Sequence, residues 1–117
     1  MFSVLDIETT GNHALQHSIT EIAILNFDGE KITERLSTLI RPETEIPLFI
    51  THLTGITNDM VETAPLFQEV AEQIEAFTRD RILVAHNAHF DYSFLKQAFH
   101  ERRLASTPVL ARWGLRW

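Results

Sequence analysis

Runs of apolar and β-branched residues, separated by polar breaks, divide the chain into strand-like and helix-like segments. Phe2–Asp6 and Ile82–Ala85 are short apolar runs typical of buried strands, and Ile19–Phe27 is rich in the β-branched residues that favour strands. Asp28 and Gly29 predict a tight turn because glycine accepts positive φ. We therefore expect Lys31–Ile40 to return beside Ile19–Phe27 as the second strand of a hairpin.

Helical spacing appears in three places. A short helix is expected at Leu48–Leu53, followed by a turn that Thr57 caps. The clearest helix should open at Pro65, with Thr63 as N-cap, and its apolar side comprises Phe67, Val70, Ala71, Ile74 and Phe77. Another long helix is predicted from about Phe90 to Arg103, with an apolar stripe of Phe90, Phe94, Leu95 and Phe99.

The order of segments is strand, strand, strand, helix, strand, helix, which predicts an α/β fold with an antiparallel hairpin beside parallel strands. Residues 1–103 are interpreted as one domain. Residues 104–117 form a divergent tail in which Pro108–Arg112 is a candidate edge strand.

Composition and charge narrow the class of protein. The 117 residues are 44% hydrophobic and 22% charged, as in an ordinary soluble domain, and no apolar run could span a membrane. The absence of cysteine excludes thiolate metal sites and fits a cytoplasmic protein. The net charge of −6 argues against coating a duplex through many phosphate contacts. It is compatible with an enzyme that holds a few nucleotides once cations fill an acidic site.

Three acidic residues are the candidates for a catalytic or metal-binding site. Asp6 and Glu8 are two residues apart at a strand end, so both side chains lie on one face and repel each other unless a cation lies between them. A water-exposed polar strand end is the ordinary alternative. Asp91, in the first turn of the last helix, should face the sheet with Phe94 and Leu95, where a carboxylate is costly without a partner or metal. Oxygen ligands of this kind suit Mg²⁺ or Mn²⁺.

The segments around these acids resemble the motifs of a known family. Val4–Gly11 (VLDIETTG) is similar to the first motif of the DnaQ-like (DEDDh) 3′-to-5′ exonucleases, the group that includes the polymerase III epsilon proofreading subunit and RNase T. Leu83–Asp91 (LVAHNAHFD) resembles the second motif. His52–Thr57 (HLTGIT) resembles the segment that packs near the terminal nucleotide. The three motifs occur in the family's order and cover about residues 2 to 103.

This resemblance implies a ribonuclease H-like fold and hydrolysis of phosphodiester bonds at a single-stranded 3′ end, with DNA favoured over RNA, by two metal ions. Asp6, Glu8 and Asp91 would be the catalytic metal ligands, and residues 1–103 would be the exonuclease domain. The residues that would contact the terminal nucleotide are Thr9, Thr10, Gly11, Leu53, Thr54 and Phe90. A polymerase or a fused domain in a longer protein is the expected partner, and Asn87 is expected to cap the last helix.

The sequence departs from the family pattern after Asp91. The family has a fourth Asp, preceded by a general-base His, but no Asp follows Asp91 here and the only later His is His100. His89 lies close enough to the site to be considered, and His86 is expected to be packed; neither is assigned as the base. The resemblance therefore implies that the C-terminal part of the domain is truncated, and we expect weak or no activity from this form.

Two other functions stay open. One is a non-catalytic module that keeps the exonuclease fold and binds nucleic acid or protein. The other is an acid-pair phosphotransferase of another α/β fold, which the Asp-x-Glu spacing and the second motif disfavour. The choice between DNA and RNA depends on contacts to the 2′-hydroxyl, which these motifs do not specify.

Overall fold

The computed structural model of the chain describes residues 1–101 and 114–116. Its centre is a five-stranded sheet in the order β3-β2-β1-β4-β5. The strands are β1 (Phe2–Thr9), β2 (Ile19–Phe27), β3 (Ile32–Leu39), β4 (Ile82–Val84) and β5 (Gly114–Arg116). β1 pairs antiparallel with β2 and parallel with β4, which confirms the predicted mixed α/β sheet.

The turn between β2 and β3 is the predicted hairpin. The Asp28 carboxylate accepts hydrogen bonds from the backbone N–H groups of Glu30 and Lys31, at 2.8 and 3.0 Å. These bonds to the ionised form, first that from Lys31, lower the pKa of Asp28. Gly29 adopts a φ of 102°, the conformation for which glycine is suited. β2 and β3 are thereby held in one register over most of their length.

In the described part of the chain, four helices flank the sheet: α1 (Leu48–Thr54), α2 (Asn58–Val61), α3 (Phe67–Thr78) and α4 (Ala88–Glu101). Thr57 caps α2 as predicted, since its hydroxyl accepts from the backbone N–H of Met60 at 3.1 Å. Asn87 likewise caps α4, where its Oδ1 accepts from the backbone N–H of Phe90 at 3.4 Å. The predicted end of this helix at Arg103 lies outside the described residues.

The predicted start of α3 is wrong. Thr63 and Pro65 precede the helix, which begins at Phe67. The Pro65 carbonyl instead accepts from the backbone N–H of Arg41 at 2.8 Å. The Glu69 carboxylate accepts from the backbone N–H of Leu66 at 2.8 Å, and this bond satisfies a free donor at the helix start.

Helices α3 and α4 cover one face of the sheet. Leu5, Ile7, Ile22 and Ile24 point to that face and pack with side chains of both helices, which include Ala71, Ile74, Phe94, Leu95 and Phe99. A smaller cluster of Ile46, Ile56 and Val61 lies beneath α1 and α2. The opposite face of β1 carries Val4, which is partly exposed, and Asp6.

The tail adds a strand to the sheet. The candidate strand at Pro108–Arg112 lies outside the described residues, but β5 pairs parallel with β4, with Leu83 opposite Leu115. The apolar β4 therefore has a neighbour on each side. Within residues 1–101 and 114–116, none of the helices has the length and apolar character needed to cross a membrane.

Candidate active site

The end of β1 places two of the acids at the edge of the core. Leu5 and Ile7 are buried against α3 and α4, so the alternating Asp6 and Glu8 point to the opposite face. β4 is the parallel neighbour of β1 but pairs only as far as Val84 with Val4. The edge of β1 beyond Val4 is consequently open to the turn that follows β4, from which α4 begins.

Asp91 approaches this edge from α4. Its side chain is only 6% exposed and accepts a hydrogen bond from the backbone N–H of Ile7. Burial, and then repulsion from Asp6 and more weakly from Glu8, raise the pKa of Asp91 to about 6. The prediction that Asp91 faces the sheet is thus confirmed, and the three predicted acids interact at the carboxyl end of β1.

A fourth acid, Glu21, lies directly across from Glu8 on β2. Burial, and then the charges of Asp6 and Glu21, raise the pKa of Glu8. Like charges in a cross-strand pair destabilise a sheet, so the end of β1 concentrates negative charge. Glu21 was not predicted as a site residue. It lies in the predicted strand Ile19–Phe27, but only the pairing of that strand with β1 places it opposite Glu8.

The acids fit divalent cations by their chemistry, since they are hard oxygen ligands whose repulsion a cation would relieve. Asp91 is nearly buried and has neither a lysine nor an arginine among the causes of its shifted pKa. However, across the described part of the chain no group of three His, Cys, Asp or Glu side chains is arranged to hold a single ion.

The segment Thr9–Gly11 is held by its own side chains. Thr10 is fully buried, and its hydroxyl accepts from the backbone N–H of Ser18 at 3.1 Å and lies 3.2 Å from His17 Nδ1. The Thr9 hydroxyl donates to the Gly11 carbonyl at 2.6 Å. A Cβ on Gly11 would lie 2.4 Å from the His17 ring. Because both threonine side chains are turned inward, a nucleotide would meet this segment through its backbone.

The other predicted nucleotide-contact residues differ in how far their side chains are available to a ligand. Leu53 is 78% exposed. The Thr54 hydroxyl is engaged at the end of α1, where it donates to the Ile50 carbonyl at 3.0 Å and accepts from Ile56 N–H at 3.1 Å. Phe90 is half-buried, with its ring 4.8 Å from that of Phe94. Leu53 is therefore the one of these three side chains that is largely open to solvent.

The histidines near the second motif are on the surface. His89 is exposed in the first turn of α4, and His86 is also exposed, so the expectation that His86 is packed is wrong. The turn after β4 leaves the sheet at this point, which carries the His86 side chain away from the core. A cavity of about 300 Å³ is lined by residues that include His17, Phe67 and Phe94, and the three acids do not line it.

Comparison with known sequences gives a consistent result. The family model described as "Exonuclease" (RNase_T) matches residues 3–110. The 3'-5' exonuclease DinG of Staphylococcus haemolyticus is 39% identical over 107 residues, which are 92% of this chain and 12% of that protein. The PolC-type DNA polymerase III of Caldanaerobacter subterraneus subsp. tengcongensis is 44% identical over 95 residues, 81% of this chain and 7% of that protein.

Solved structures share the fold. Exonuclease X, in complex with 5' overhanging duplex DNA, is 33% identical with a TM-score of 0.70, over 81% of this chain and 54% of that one. The zinc-bound E. coli exonuclease I–ssDNA complex is 17% identical with a TM-score of 0.86, over 98% of this chain and 27% of that one. The second likeness concerns the fold alone. This chain spans about an eighth or less of the two sequence relatives.

Proposed function

The chain belongs to the exonuclease family, and on that basis we propose that it is a metal-dependent 3′-to-5′ exonuclease acting on single-stranded nucleic acid. The observation that carries the proposal is the meeting of Asp6, Glu8 and the nearly buried Asp91 at the carboxyl end of β1. Open α/β sheets commonly place their sites at this edge. DNA is the favoured substrate because exonuclease X, which shares sequence and fold with this chain, was solved bound to DNA.

In this proposal Asp6, Glu8 and Asp91 hold the ions, either Mg²⁺ or Mn²⁺, with two ions in the complete site. Bound divalent ions supply activation of the attacking water and stabilisation of the leaving 3′ oxygen. The chain's own residues fix the ligands. The backbone N–H of Ile7 orients the Asp91 carboxylate, and the buried Leu5 and Ile7 anchor the strand that presents Asp6 and Glu8.

The terminal nucleotide would lie against the Thr9–Gly11 backbone and Leu53. The inward hydrogen bonds of Thr9 and Thr10 support this role because they hold the backbone in a fixed position. Phe90 would contribute the part of its ring that does not pack on Phe94. We further propose that the chain acts together with a DNA polymerase, because one relative is a PolC-type DNA polymerase III and this chain matches a small part of it.

One observation favours a second candidate, a module that binds nucleic acid or protein without hydrolysis. The described residues lack a group of three side chains arranged around one ion. Poorly held ions would slow the activation of water. The two candidates differ in whether nucleic acid is hydrolysed, so they can be separated by one assay.

The test uses single-stranded DNA labelled at its 5′ end and incubated with the chain and Mn²⁺. The exonuclease proposal predicts stepwise shortening from the 3′ end that stops with a chelator and is lost in Asp6→Ala. Asp59→Ala is the matched control, since this exposed acid lies on α2. Binding without any shortening in the presence of Mn²⁺ would contradict the exonuclease proposal and select the non-catalytic module.

A further inference from the structure

The cavity of about 300 Å³ lies in the main hydrophobic cluster and is not part of the acidic site. Its volume falls at the lower end of the range of pockets that bind small molecules, and such pockets are mostly apolar with a few polar groups. Most of its apolar lining belongs to the cluster that joins the sheet to α3 and α4, namely Ala14, Ile19, Ile40, Phe67, Phe94 and Ala98. Asp6, Glu8 and Asp91 do not line it. The cavity is therefore a separate candidate binding site.

Two phenylalanine side chains form aromatic walls of this cavity. Phe94 is almost completely buried, and its ring centroid lies 4.8 Å from that of Phe90. Phe67 packs edge-on against Phe99, with ring centroids 5.1 Å apart. Each ring is thus held by a neighbouring ring before a ligand arrives. Fixed aromatic walls favour a ligand with an apolar body, and their faces also attract a positive charge.

Two carboxylates lie at the polar side of the cavity. Glu43 and Glu101 both line it and are exposed. The charge of Glu101, then burial, and then a hydrogen bond between the two side chains raise the pKa of Glu43. The Gln97 amide donates to the Glu101 carboxylate at 3.1 Å. Arg41 also lines the cavity, but it is not among the causes of the raised pKa. A cation placed beside the two acids would relieve their repulsion.

His17 connects the cavity to the Thr9–Gly11 segment. It is half-buried and lines the cavity. Its Nδ1 lies 3.2 Å from the Thr10 hydroxyl, and its ring is so close to Gly11 that a Cβ there would lie 2.4 Å from it. Ser18 also lines the cavity, and its backbone N–H donates to the same hydroxyl at 3.1 Å. A ligand in the cavity would therefore contact the residues that hold this segment in place.

We propose that this cavity binds a small organic cation, whose apolar body lies against Phe67 and Phe94. The positive group of the ligand lies beside Glu43 and Glu101, where it relieves the repulsion between them. The ligand also contacts His17 and thereby acts on the neighbouring loop. A bare inorganic cation suits the cavity less well, because apolar walls do not replace its hydration shell.

The test is a titration of the full ¹⁵N-labelled chain with benzamidine, followed by backbone amide chemical shifts in the presence of Mg²⁺. Benzamidine joins an aromatic ring to an amidinium group, and benzamide is its neutral analogue of nearly the same shape. We expect saturable shifts that include the amides of Gly11 and His17. Benzamide should bind about two- to fivefold more weakly, because attraction between exposed charges contributes only modestly to affinity.

Substitutions in the lining assign the binding to this cavity. Glu101→Gln should weaken benzamidine about two- to fivefold and leave benzamide unchanged. Glu30→Gln is the matched control, since this acid is exposed in the hairpin turn, and it should change neither affinity. Ala98→Phe fills the cavity and should abolish the saturable shifts with both compounds. Thermal unfolding verifies that each variant is folded.

The absence of saturable shifts, or equal affinity for benzamidine and benzamide, would overturn the proposal. Binding that survives in a folded Ala98→Phe variant would also overturn it, as would shifts centred on Asp6 and Asp91 that disappear in Asp6→Ala. Binding that leaves the Gly11 amide unshifted would refute the connection through His17. None of these measurements involves hydrolysis, so the result is independent of the proposed exonuclease activity.

Discussion

Replacing Asp91 with Asn should stabilise the chain in metal-free buffer. The pKa of Asp91 is raised from 3.8 to about 6 by burial and by the charges of Asp6 and Glu8. The folded state therefore binds this proton more tightly than the unfolded state, and ionising Asp91 costs stability as the pH rises from about 4 to 6. The difference between the two pKa values corresponds to a decrease of about 3 kcal/mol in the free energy of unfolding at pH values above about 6. Asn removes the charge, and its Oδ1 can still accept from the Ile7 N–H.

The assay is urea unfolding of both proteins with a chelator present. We expect Asp91→Asn to raise the free energy of unfolding by about 2–3 kcal/mol near pH 7, and by less than about 1 kcal/mol near pH 4. Asp80→Asn is the control, because it removes one charge at an exposed residue whose φ of 58° suits Asn. A variant no more stable than the unsubstituted chain near pH 7, or a gain independent of pH, would refute the reasoning.

Substitutions at Gly11 and Ile74 test the packing that positions the site. Gly11→Ala places a Cβ 2.4 Å from the His17 ring, so we expect the free energy of unfolding in urea to fall by about 1–3 kcal/mol. Adding His17→Ala to this variant should remove most of the loss, and a loss that His17→Ala leaves unchanged would contradict the steric explanation. Ile74→Ala creates a cavity at a fully buried position under the sheet and should lower the free energy of unfolding in urea by about 2–5 kcal/mol. A decrease below about 1 kcal/mol would show that α3 is not packed as described.

Local patterns were sufficient for most of the fold. The bounds of β2 follow from its β-branched residues, and the hairpin from Asp28 and Gly29, because both depend on neighbours in sequence. The inward direction of Asp91 followed from its spacing to Phe94 and Leu95, both of which are buried. Whether Asp91 lies beside Asp6 and Glu8 depended on β1 and β4 being neighbours, which their parallel pairing confirms.

Features that depend on pairing between distant segments were not predictable in this way. Glu21 became part of the acidic row only through the register between β1 and β2. The start of α3 was set by the Pro65 carbonyl bonding to Arg41, a residue far away in the sequence. The short β5 is defined by β4 beside it rather than by a pattern of its own.

We propose above all that Asp6, Glu8 and Asp91 act as ligands of divalent cations. Titration of the chain with Mn²⁺, followed by the electron paramagnetic resonance signal of the free ion, measures this directly. We expect uptake of Mn²⁺ that is strongly reduced in Asp6→Asn and in Asp91→Asn but retained in Glu45→Gln, an exposed acid in the loop before α1. No uptake by the unsubstituted chain, or uptake that survives both aspartate substitutions, would contradict the claim.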